Sequence, residues 1–244
     1  MVNMKNTGFK KKVLGGVVCG LFLASLPLSA QDTDNNTWMT VGVKHKLNSR
    51  FDLSGAAEWR TKDDVSETDR WGAKLGVQYK ALSFLKLGAG YEFHYRNRGE
   101  QGWKSRHRYY LDGTLSSRWL DWKVSLRERV QHTLDGHHDD FKLRSRVKVA
   151  YDLPKVKLEP YLSVEMYNGL NKREDFDITR MRYRGGLSFP ILDCLDMELF
   201  YCRQWEEKRS KNIYGIYGAQ NETYIEGWEK KASNLLIYKR LCKI

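Results

Sequence analysis

From Trp38 onward the chain alternates apolar and polar residues with a period of two, which sends successive side chains to opposite faces of a strand rather than round a helix. In residues 51–60 one face carries Phe51, Leu53, Gly55, Ala57 and Trp59, and the other Asp52, Ser54, Ala56, Glu58 and Arg60. The arrangement returns in Trp71, Ala73, Leu75, Val77 and Tyr79, which oppose Arg70, Gly72, Lys74, Gly76 and Gln78, and again in residues 85–96 and 141–151. About twelve such stretches of roughly ten residues succeed one another, the length that crosses a bilayer when a strand is tilted. They start near Trp38, Phe51, Arg70, Phe84, Ser105, Trp122, Phe141, Leu158, Ile178, Leu195, Asn212 and Ser233. Short connections at 47–50, 80–83 and 153–157 alternate with longer ones at 61–69, 95–104, 132–140 and 168–177.

The first thirty residues differ. Lys5, Lys10, Lys11 and Lys12 precede an apolar run over 13–28, and Ser29 and Ala30 then meet the polar stretch 31–36, which reads as a secretory signal peptide cut after Ala30. Cys19 lacks the preceding leucine and small residue of a lipoprotein site. No linker-like run divides the rest of the chain, so residues 1–30 are expected as the leader and 31–244 as one domain. Once four of the 42 basic residues leave with the leader, 38 face 30 acids, a net charge of +8.

With one long apolar run and a mean hydropathy of −0.64, the chain is not a helical membrane protein. Its 8 Trp, 14 Tyr and 9 Phe are too many bulky aromatics for a chain that buries nothing. An exported basic chain is not expected to bind nucleic acid. Cys194, Cys202 and Cys242 allow one pair at most, and Cys194 and Cys202 would stand about 26 Å apart on a shared strand, so no disulfide framework is expected.

Alternation by itself fits both a water-soluble barrel and a membrane barrel turned inside out. A ring of about twelve strands encloses more space than side chains from one face fill as a dry core. Apolar faces begin and end with aromatics, as Phe51 with Trp59, Trp71 with Tyr79 and Phe141 with Tyr151, the girdles of a lipid-facing band. Gly72, Gly76, Gly88 and Gly90 share the charged face, where long cations crowd. The expected fold is therefore all-β, an antiparallel transmembrane β-barrel of about twelve strands (roughly ten to fourteen) in the outer membrane.

The opening strand at Trp38, the Glu-Trp-Arg at 58–60, Gly-Ala-Gly-Tyr-Glu-Phe at 88–93, Arg-His-Arg-Tyr-Tyr-Leu-Asp at 106–112, Arg-Met-Arg-Tyr-Arg-Gly-Gly-Leu at 180–187 and Asn-Ile-Tyr-Gly-Ile at 212–216 resemble the family named domain of unknown function 2490. The resemblance implies a Gram-negative outer-membrane β-barrel and supplies no chemistry. Such chains tend to finish after the motif at 212–218, whereas here 219–233 and a further stretch come after it, ending Leu-Cys-Lys-Ile.

Function rests on an internal repeat, Arg-x-Arg: Arg106 and Arg108, Arg127 and Arg129, Arg144 and Arg146, then Arg180, Arg182 and Arg184. Residues i and i+2 of a strand point the same way, so all nine are expected to face one lumen, with Glu58, Glu92, Asp112, Glu165 and Glu198 as the chief inward acids. Braced by those acids, the arginines would stiffen the wall and bind nothing; unbalanced, they form an anion-attracting, porin-like lumen suited to small anionic solutes or to oligosaccharides such as uronates. The partners expected are outer-membrane lipid, the outer-membrane assembly machinery and such anions. Residues 135–140, reading Asp-Gly-His-His-Asp-Asp, lack zinc-site spacing, and His45, His94, His107 and His132 have no nucleophile at a telling distance. No metal, cofactor or catalytic residue is assigned. A pore, a structural or ligand-binding envelope barrel with a closed lumen, and a rim hydrolase stay open as alternatives, with an enzyme the least favoured.

Overall fold

A computed structural model describes residues 33–136, 138–170, 178–192, 194–206 and 209–222. These form eleven strands: β1 Thr33–Lys46, β2 Phe51–Lys62, β3 Glu67–Lys80, β4 Leu85–Asn97, β5 Trp103–Trp119, β6 Trp122–Asp135, β7 His138–Tyr151, β8 Glu159–Gly169, β9 Ile178–Leu192, β10 Leu195–Glu206 and β11 Arg209–Glu222. Each pairs antiparallel with the next, and β1 closes the ring against β11. The leader at 1–30 and the strand expected near Ser233 lie outside the described residues.

The described barrel closes with eleven strands, one short of twelve and within the expected ten to fourteen, and the parity has a consequence. Strands joined in sequence alternate in direction, so the first and eleventh run the same way, and the seam is parallel from Thr33↔Ser210 to His45↔Glu222. Trp38, Cys202 and Ile213 pack together beside this seam, with Phe200 against them, as a small apolar cluster inside a mostly polar interior. Cys202 is a buried free thiol, so it does not pair with Cys194.

Strands run 11 to 17 residues, longer than the alternation suggests, because pairing continues past the apolar band. There both faces turn polar and the period-two signal fades while the backbone ladder persists. The connection expected at 61–69 shrinks to 63–66, where Asp63, Asp64 and Val65 take positive φ, and that at 132–140 becomes a tight hairpin with Gly136 at φ +65°. The contrast between long and short connections is correspondingly reduced.

The faces sort by phase. Val41, Leu53, Leu75, Leu111, Leu126, Val147, Leu162 and Ile216 stand exposed on the outside, while Glu58, Glu92, Glu165 and Arg182 are buried inside. This inverts the distribution of a water-soluble barrel. Aromatic pairs sit at both rims: Trp59 with Trp71 and Tyr95 with Trp103 at the end where β1 begins, Phe51 with Tyr79 and Trp122 with Tyr151 at the other. From Phe51 to Trp59 is eight residues, about 26 Å along the strand and roughly 20 Å of height once tilted.

Candidate functional site: the cationic lumen

Inside the barrel is a cavity of about 760 Å³, walled by the inward phase of the strands. All nine Arg-x-Arg arginines line it, together with Arg60, Arg70, Arg96 and four lysines. Sixteen cations and seven acids thus line it, and Asp34, Glu67, Asp112 and Asp135 pair four of those cations from beside the lining, which leaves a smaller surplus of positive charge. Register places them there: a slip of one residue would carry every arginine to the apolar exterior.

Three buried carboxylates organise the wall. Glu58 accepts a hydrogen bond from Arg60 Nη2 at 2.7 Å, is ion-paired with Lys74, and lies 3.6 Å from Arg70 Nε. Glu92 accepts from Arg108 Nη1 at 2.8 Å and contacts His94 Nε2 at 3.2 Å. Glu165 accepts from Arg127 Nη2 and Arg144 Nη2, both at 2.9 Å, and from the Tyr167 hydroxyl at 3.0 Å, with Arg182 Nη1 at 3.6 Å. Two smaller anchors add to these: Asp112 takes the Arg129 Nε at 2.9 Å, and Asp135 holds both Arg98 and Arg106. Glu198 serves Tyr161, whose hydroxyl donates to it at 2.5 Å.

Inward aromatics are the part of the lumen that alternation did not reveal. Tyr110 faces Gly90 across β4 and β5, Tyr161 faces Gly186 across β8 and β9, and Phe200 faces Gly215 across β10 and β11. In each pair a Cβ on the glycine would run into the ring, so the missing side chain is what lets the aromatic lie flat on the wall. The glycines of the charged face make room for these rings, and for His94 over Gly72 and Asp112 over Gly88, rather than for crowded lysines and arginines. Guanidinium groups then cap the rings, Arg60 over Trp38 at 3.6 Å, Arg129 over Tyr110 at 3.7 Å and Arg184 over Phe200 at 4.2 Å. The signal was available: Tyr110 shares its phase with Arg106, Arg108 and Asp112, and Tyr161 and Tyr167 share theirs with Glu165.

The described histidines do not converge. His94 is buried in the lumen wall, whereas His107 shares a 2.7 Å hydrogen bond with the Tyr91 hydroxyl on the outer face, and His132 stacks on Phe141 with centroids 4.0 Å apart. His137 lies outside the described residues. Among the described residues no group of His, Cys, Asp and Glu has the arrangement of a metal site.

The fold and lumen define a class: closed all-β barrels, apolar outside and cationic within. The chain belongs to the protein family of unknown function DUF2490, whose model matches residues 35–214. Among solved structures it is similar to LpxR from Salmonella typhimurium, at 12% identity and a TM-score of 0.47 over 70% of this chain and 83% of that one. It is also similar to the translocator domain of autotransporter NalP from Neisseria meningitidis, at 11% identity and a TM-score of 0.44 over 84% of this chain and 93% of that one. No curated protein matches the sequence.

Proposed function

We propose that the protein is exported by its N-terminal leader, is folded into the outer membrane by that membrane's assembly machinery, and carries anionic solutes through its lumen. The apolar belt between two aromatic rims supports the membrane location, because a water-exposed belt of this extent would drive aggregation. The surplus of cations over acids along the cavity carries the solute preference. Planar-bilayer recordings under a salt gradient test it. The expected reversal potential is that of an anion-preferring pore, and replacing both Arg144 and Arg146 by Gln should lower the anion-to-cation permeability ratio roughly twofold or more. Cation preference would defeat the proposal.

The ion-paired clusters around Glu58, Glu92 and Glu165 favour a second reading, in which the braced lumen holds a ligand or stiffens the envelope without conducting. Absence of conductance from folded protein would select it.

The membrane location makes a separate prediction. Glu128 is exposed on the outer phase of β6 between Leu126 and Val130, near mid-strand, where the Ser145 hydroxyl donates to it at 2.6 Å. A carboxylate facing lipid at this depth is unfavourable, so Glu128→Leu should stabilise the barrel by about 1 kcal/mol in vesicles. Heat-modifiable gel migration after vesicle extraction reads this out; destabilisation would place Glu128 against water or a partner rather than lipid.

A further inference from the structure

The charge in the lumen is unevenly spread. On the wall made by β2–β4, Arg60, Arg70, Lys74 and Arg96 stand among Glu58, Asp69 and Glu92, with every one of these cations within ion-pair distance of an acid. On the wall made by β6–β9 the cross-strand rows read Arg127↔Arg146↔Glu165↔Arg182 and Arg129↔Arg144↔Tyr167↔Arg180, with Lys148↔Ser163↔Arg184 as the third. Eight cations thus share one acid within the panel, Glu165, while Asp112 of β5 and Glu206 of β10 pair Arg129 and Arg180 from the flanking strands. Arg127 faces Arg146 directly and Arg129 faces Arg144, pairings of like charge that weaken a sheet unless something else compensates them.

Two observations leave part of this panel open to a ligand. Arg146 has no ion pair or hydrogen bond among the described residues, and Arg184, which hydrogen-bonds Tyr161 and Cys202, has no carboxylate within 4 Å. The Nε atoms of Arg127, Arg144 and Arg180 are buried and lack hydrogen-bond partners, but so do those of Arg60 and Arg70 on the β2–β4 wall, so this feature does not single out the panel. The panel opens on the cavity rather than on packed side chains, since all seven of its arginines line that space.

From this we infer that the β6–β9 wall is a binding site for a linear polyanion, a solute bearing several phosphate, sulfate or carboxylate groups in a row. The inference rests on the anion-preferring reading and narrows it. Neighbouring cations stand about 5 Å apart across strands and about 7 Å apart along them, so one monovalent anion satisfies only a corner of the panel, whereas a chain of anionic groups engages several guanidinium forks at once. Once the first group is seated, each further one binds intramolecularly.

Isothermal titration calorimetry on the folded barrel in detergent, with tripolyphosphate and orthophosphate as probes, tests the inference without requiring conduction. Tripolyphosphate should bind at least about 100-fold more tightly than orthophosphate. Arg146→Gln should cut the tripolyphosphate affinity about tenfold, while Lys86→Gln, which removes one equal charge from the inner face of β4 away from the panel, should change it less than about twofold. Gel migration before and after heating confirms that each variant is folded, and the comparison of the two phosphates on the unaltered protein stands without any variant. Equal affinities for the two probes, or equal losses in the two variants, overturn the panel as a polyanion site. An anion-preferring conductance with equal phosphate affinities would do so while leaving the proposed function intact, and tight tripolyphosphate binding without conductance would do the reverse.

Discussion

Replacing Gly90 by Val should lower the stability of the barrel by about 3 kcal/mol or prevent its assembly. Gly90 lies on β4 between Gly76 of β3 and Tyr110 of β5, and the Tyr110 ring lies across both glycines under the Arg129 guanidinium. A Cβ at Gly90 would collide with the Tyr110 Cζ and hydroxyl and lie 2.6 Å from the Leu75 carbonyl oxygen, a backbone atom that moves only at the expense of the β3–β4 ladder. The ring would be expelled, and with it the cap that orients Arg129 toward Asp112. Gly113 provides the contrast. It faces outward, where an added Cβ would meet Leu87 Cδ2 at 3.9 Å, so Gly113→Ala should be nearly neutral. Comparing the temperature at which each variant loses its folded gel mobility separates them. Equal mobility loss in the two would show that the inward aromatics do not hold the wall.

The strands and their facing were legible because a sheet with one apolar and one polar face writes its phase directly into the sequence. That phase is why Arg106 and Arg184, distant in sequence, line the same cavity. The number of strands was less legible. Closure depends on whether β11 finds β1 as its neighbour, a long-range pairing that no local pattern encodes. The ends of strands blurred for a different reason, as the fading of alternation beyond the apolar band concealed β2 up to Lys62 and β7 from His138. Partner choice inside the lumen was the least accessible. Glu165 on β8 gathers Arg127 from β6 as well as Arg144 from β7, and which rows come level across three strands is set by the register, not by spacing within any one of them.

Removal of Glu165 is the second large effect expected. Its side chain is 6% exposed, and its Oε1 receives two arginine bonds while Oε2 receives Tyr167. Glu165→Ala leaves the β6–β9 panel with eight cations and no acid of its own. Breaking a buried charge pair by deleting one partner costs about 3 to 5 kcal/mol in a dry interior, and water in the cavity brings the expected loss here to about 3 kcal/mol. Glu165→Gln keeps the volume and one acceptor oxygen but not the charge, so its loss should be intermediate. Salt distinguishes the cause: raising ionic strength from 0.1 to 1 M shortens the screening length from about 10 to about 3 Å, which should recover much of the loss if repulsion among the arginines is responsible. Thermal melts followed by circular dichroism in detergent at the two salt levels measure this. A Glu165→Ala barrel that melts like the unaltered protein would mean the panel tolerates its own charge, and a loss indifferent to salt would assign the role of Glu165 to packing instead.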